Sequence, residues 1–133
     1  MVKTEAVIRS ILGAVRADIR PLACAVDIAA DLMFTQHICM DDIRIGQVYQ
    51  EAAGRIPNRK GKPSTPGAVS RRIQRLANQC WDALVARDLV REYLGSSLQD
   101  IRSPRDVILY LAFYVRLDTP FFIAIRQQPA LLF

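Results

Sequence analysis

The stretch that most constrains this chain is "TPGAVSRRIQRLANQCWDAL", residues 65–84, where Val69, Ile73, Leu76, Cys80 and Leu84 recur at steps of four, three, four and four. Only an α-helix puts positions with that spacing on one side. Thr65 offers a hydroxyl cap and Pro66 a preset first-turn φ, so the helix start is encoded along with its buried stripe. The other side carries Ser70, Arg71, Gln74, Arg75 and Asn78, with no carboxylate among them. Such a helix must pack one side on an apolar partner and turn a polar, cationic face outward.

The same period runs through most of the sequence, and alternating β-branched runs bounded by hairpin turns are missing, so the expected class is all-α. With 133 residues the simplest organisation is one domain, 1–133, a bundle of about six helices. Thr4, followed by Glu5, reads as the cap of a first helix that buries Val7, Ile8, Ile11, Leu12 and Val15. Pro21 suits the first turn of a second helix with Leu22, Ala25, Val26, Ile28, Ala29, Leu32 and Met33 on its apolar face. Asp41 and Asp42 read as the acidic N-terminus of a third, with Ile45, Val48, Tyr49, Ala52 and Ile56 on one stripe, ended by Pro57. Gly95 closes a short helix in "REYLGSS". Ser103, Pro104 and Asp106 then start "SPRDVILYLAFYVRL", apolar on nearly every side and expected at the centre. The prolines in 118–133 argue against a long helix in this apolar C-terminal extension, which is expected to fold back on the core or to meet a protein partner.

Charge is unevenly distributed. The chain holds 18 basic and 13 acidic residues, net +5, and seven of the bases (Arg55, Arg59, Lys60, Lys62, Arg71, Arg72, Arg75) fall within 55–81, which has no acid. Elsewhere 11 bases face 13 acids, so the positive charge belongs to one segment and suits a polyanion. Two helices joined by a turn, the second basic on its outer side, match the helix-turn-helix arrangement over about 42–84. Ala52 and Ala53 would let the two helices approach closely, with Val69 and Ile73 filling the seam and Trp81 anchoring the far end. Duplex DNA is the expected partner, since Trp81 is the lone aromatic in the segment and lies on the apolar side, away from any base-stacking role.

Ser70, Arg71, Gln74, Arg75 and Asn78 are the expected base-reading residues: guanidinium groups suit guanine edges and side-chain amides suit adenine. Arg72 lies about 100° around the helix from Arg71 and is assigned, with Thr65, Arg59, Lys60, Lys62 and Arg55, to the DNA backbone. The segment "PNRKGKPS" reads as an enlarged, flexible basic turn. A helical adaptor or anti-regulator that docks an acidic protein through the same bases is the alternative, and a structured-RNA regulator is a weaker third.

Other classes find little support. The longest apolar run, Val107 to Val115, is short of the ~20 residues that span a bilayer, and charges interrupt the N-terminus as a signal peptide, so a cytoplasmic protein without a membrane partner is expected. Cys24, Cys39 and Cys80 are odd in number and lack CxxC spacing, and "HIC" at His37–Cys39 offers no complete ligand set, so neither a disulfide framework nor a metal site is expected. With one histidine and no nucleophile–base spacing, phosphate loop or carboxylate pair, the sequence points away from an enzyme and names no cofactor.

The order of landmarks from about Val7 to Leu117 resembles the C-terminal DNA-binding effector domain of the sporulation master response regulator of endospore-forming bacteria. The resemblance is carried by "VIRSILGAVRADI", "VYQEAAGRI", "TPGAVSRRIQRLANQCW" and "SPRDVILYLAFYVRL". It implies a helical bundle on promoter DNA, its recognition helix in the major groove, with a homodimer or tandem copies along the site. In that resemblance Arg71 matches a basic base-contacting position, whereas Ala68, Ser70 and Gln74 stand where the family carries charged contacts. The family's receiver domain has no counterpart, so a stand-alone effector domain is expected. The turn at 57–64 is longer than the ~3–4 residues usual for the motif.

Overall fold

Every described segment that carries helical periodicity is helical. The computed structural model describes residues 2–13, 18–56, 65–95 and 104–127. Within them lie α1 (Val2–Leu12), α2 (Arg20–Ala30), α3 (Ile45–Arg55), α4 (Pro66–Ala86), α5 (Val90–Leu94), α6 (Pro104–Leu117) and α7 (Phe121–Gln127). No strand occurs among the described residues, and the class is all-α. The C-terminal extension supplies the seventh helix.

The core gathers around α2 and α6, which pack against each other and share α1 and α4 as neighbours. Val107, Ile108, Leu109, Leu111, Ala112 and Phe113 of α6 are all buried, as expected for a helix apolar on nearly every side. Phe113 is a hub: its ring meets Phe34 edge-on at 5.1 Å and Phe121 edge-on at 4.9 Å. Edge-to-face pairs at these distances add to the gain from burial alone. Through Phe121 the extension folds back onto the core, and α7 packs on α5 and α6. Residues 128–133 lie outside the described residues.

Three local expectations change. Thr4 does not cap α1; it sits inside the helix, is 1 % exposed, and donates its hydroxyl to the Asp27 carboxylate of α2. A hydroxyl buried at a helix seam needs an acceptor, and α2 provides one. Asp41 and Asp42 do not open α3. They belong to a 3₁₀ turn over Met40–Asp42, and α3 starts later, at Ile45. Leu32 and Met33 lie beyond regular α2, in a π-helical turn over Asp31–Thr35 that prolongs it.

Chain ends are set by local chemistry. Ile56 is extended (φ −116°, ψ 107°), the conformation expected of a residue whose successor in the sequence is proline. Gly13 has φ +77° and donates to the Arg9 carbonyl at 2.8 Å, a left-handed C-terminal cap for α1. Gly95 caps α5 at φ +87° as expected, and a Cβ there would stand 3.1 Å from both Pro120 Cβ and Ile123 Cγ1. Only glycine lets α7 approach α5 so closely. Pro104 is the first residue of α6. Val15, Pro57 and Ser103 lie outside the described residues.

Candidate nucleic-acid interface

Helix α4 runs 21 residues, and its start is fixed by Thr65, whose backbone is extended (φ −73°, ψ 145°) and whose side chain accepts from the Ala68 N–H at 3.3 Å. Val69, Ile73, Leu76, Ala77, Cys80 and Leu84 are all at most 5 % exposed. They face α1, α2, α3 and α6, so α4 is held on one side along its length. Ala52 and Ala53 of α3 are fully buried, and their small side chains permit the close α3–α4 seam. Trp81 is half-buried and packs against the same core, as its place on the apolar side implies.

The outward face of α4 brings together most of the residues expected to read DNA. Arg71, Gln74, Arg75 and Asn78 are exposed, and Ser70 is half-buried. Two of them bond within the helix. Ser70 donates its hydroxyl, and Arg71 its Nε–H, to the Gly67 carbonyl, at 3.1 and 3.3 Å. That hold lays the Arg71 side chain along the first turn and leaves the rest of its guanidinium to act as donor. From Pro66 to Trp81 the helix has no acid; its single carboxylate, Asp82, falls at the end remote from Thr65.

The expected backbone contacts divide. Thr65 is exposed at the helix start, and Arg72 is half-buried on the flank. Arg55 stands in the last turn of α3, pairs with Glu51 at 3.5 Å, and lines a groove beside Cys24 and Asp27 of α2. Both partners of that pair are more than half exposed, so it adds little stability. Arg59, Lys60 and Lys62 lie outside the described residues.

The sequence reading missed Asp18 and Arg20. Asp18 accepts from Arg20 Nε and Nη2, both at 2.9 Å, and from the Arg20 backbone N–H at 3.1 Å. The Arg20 side-chain hydrogen bonds hold the Asp18 carboxyl below its usual range, opposed by partial burial and helped by the charge of nearby Arg72. An Asp two residues ahead of Arg-Pro at a helix start was the available signal.

Two of the cysteines, Cys24 and Cys80, are held in the thiol form by burial. Burial pushes Cys80 up to about 12 and raises half-buried Cys24 as well. No metal-ligand cluster occurs among the described residues, and no single described helix is long and apolar enough to cross a membrane. Comparison of the chain with protein-family models, with curated proteins and with solved structures gives no match.

Proposed function

We propose that this protein binds duplex DNA as a sequence-specific transcriptional regulator, with α3 and α4 acting as a helix-turn-helix whose turn, 57–64, is enlarged and basic. One observation carries the reading. A capped helix buries a complete apolar stripe while its opposite side presents exposed Arg71, Gln74, Arg75 and Asn78 without a competing carboxylate. An α-helix fits the major groove, where guanidinium and amide side chains distinguish guanine and adenine by paired hydrogen bonds.

From Ser70 to Asn78 the helix advances about 12 Å, and at 3.4 Å per base step this matches roughly three to four base pairs per copy. A readable site of useful length therefore calls for a second copy, as a dimer or in tandem. The likeness to the sporulation effector domain fits this reading and suggests a developmental promoter as the target. Arg59, Lys60 and Lys62, in the sequence segment between α3 and α4, are assigned to phosphates.

Selection from a random duplex library, followed by sequencing of the bound fraction, tests the proposal. A short enriched motif that Arg71→Ala relaxes at one position supports it. Failure to retain any duplex at low salt would contradict it and favour an acidic protein partner; retention of structured RNA over duplex DNA would contradict it too.

A further inference from the structure

We propose that Gly67 is the point of α4 that comes closest to the duplex, a positioning residue whose missing side chain lets the first turn of the helix lie against base edges in the major groove. The inference rests on the duplex-binding reading of α4 and adds what sets the depth at which the helix enters.

A glycine inside a helix is unfavourable relative to alanine, because its backbone has more conformational freedom to lose. A positive φ or a crowded neighbour can require one, and Gly95 has both. Gly67 has neither. It is the second residue of α4, its φ is not positive, and a Cβ built on it would meet no described atom within 4 Å. Alanine would fit the fold and favour the helix. What remains for a glycine to serve is a close approach from outside the chain.

Gly46 and Gly54 of α3 are open in the same way, so openness alone does not select Gly67. Its place does. Gly67, Arg71, Gln74 and Asn78 follow at steps of four, three and four, which puts them on one side of α4, and all four are exposed. Helical side chains lean toward the N-terminus, so the Arg71 stem lies back over the turn that begins at Gly67. The Ser70 hydroxyl and the Arg71 Nε–H both bond to the Gly67 carbonyl, at 3.1 and 3.3 Å, which holds these two side chains beside a residue that has none. In a helix-turn-helix the first residues of the second helix reach the base edges. With no Cβ at Gly67 the helix axis can come nearer the groove floor, and the donors of Arg71 and Gln74 come nearer the bases with it.

The test compares the full chain with Gly67→Ala, Gly67→Leu, Arg71→Ala/Arg75→Ala and Ala86→Leu on a selected duplex site and on a scrambled duplex, with urea midpoints for each. Ala86 is exposed at the other end of α4 and controls for added bulk on the same helix. Gly67→Ala should unfold at an equal or higher urea midpoint, yet lose about tenfold in affinity for the selected site, the effect of overfilling a close contact. Gly67→Leu should lose more, and Ala86→Leu should bind like the parent. The loss should be smaller on the scrambled duplex, where binding rests on phosphates, and the salt slope should not change because no charge is removed. A lower midpoint for Gly67→Ala would show that the glycine serves the fold, and would overturn the inference. So would parent-like binding of both Gly67 variants; if the arginine double variant is weakened in that experiment, the reading of α4 stands without it. If the double variant also binds like the parent, or the parent binds no duplex, both fall.

Discussion

The guanidinium of Arg87 closes the end of α1: its Nη1 donates to the Ile11 carbonyl at 2.8 Å, and also to that of Ser10 at 3.2 Å. Carbonyls in the last turn of a helix have no partner within it, and a cation there is favoured by the helix dipole as well. Arg87 is the residue at which α4 ends, so this contact ties the far end of the proposed reading helix to α1. Arg87→Ala is expected to lower stability by about 1–2 kcal/mol, read as a shift in the urea midpoint. Arg87→Lys, which keeps the charge but not the planar fork, should recover part of the loss.

Thr65 controls the opposite end of α4. Thr65→Ala removes the acceptor for the Ala68 N–H and should cost about 1 kcal/mol, while Thr65→Ser should be close to neutral. Ser70 and Arg71 both bond to Gly67 in that first turn, so fraying there should also weaken DNA binding. Paired thermal melts and duplex titrations check both effects. Weakened stability with unchanged DNA affinity would detach the first turn from the proposed interface.

Gly95 sets the approach of α7. Its φ of +87° and the 3.1 Å contacts that a Cβ would make with Pro120 and Ile123 leave no room for alanine. Gly95→Ala is expected to cost at least about 1 kcal/mol and to expose amides of α7 first in hydrogen exchange. Protection of α7 equal to the parent's would contradict this account of its docking.

How much of the fold and interface is legible in the sequence depends on the range of the interaction. The α4 stripe is legible because Val69, Ile73, Leu76, Cys80 and Leu84 state a period and Thr65-Pro66 states a beginning, both local signals. Gly95 and Pro104 are legible for the same reason. Thr4 misleads because a hydroxyl ahead of Glu resembles a cap, whereas its partner, Asp27, lies on another helix. The start of α3 is misplaced because Asp41 and Asp42 satisfy a helix-start pattern that a tight turn satisfies equally well. Arg55 can be counted as charge in the basic segment, but its direction depends on how α3 packs beside α2. The docking of α7 stays open in the sequence because it is decided by Phe121 against Phe113, a pairing across the fold.

Burial of Cys80 ties stability to alkaline pH. Its thiol is raised from 9.0 to about 12 in the folded protein. Between those values the unfolded chain has lost a proton that the folded chain keeps, so stability falls as pH rises, by up to about 1.4 kcal/mol per unit. Burial also raises Tyr49, Tyr93 and Tyr110, which adds to the fall in the same direction. Urea midpoints measured from neutral pH to above 9.0 should decline, and Cys80→Ala, though less stable at neutral pH, should decline less steeply. Equal slopes for the two proteins would show that Cys80 is not the source.

The most direct measurement compares the parent and Arg71→Ala/Arg75→Ala on a selected duplex site and on a scrambled duplex, by fluorescence anisotropy at one fixed salt concentration. Removing each base-reading guanidinium should cost about 1–3 kcal/mol on the selected site, so the variant should lose most of the parent's preference while keeping its helical content. Equal affinity of the two proteins for the selected site would contradict the assignment of α4 as the reading helix.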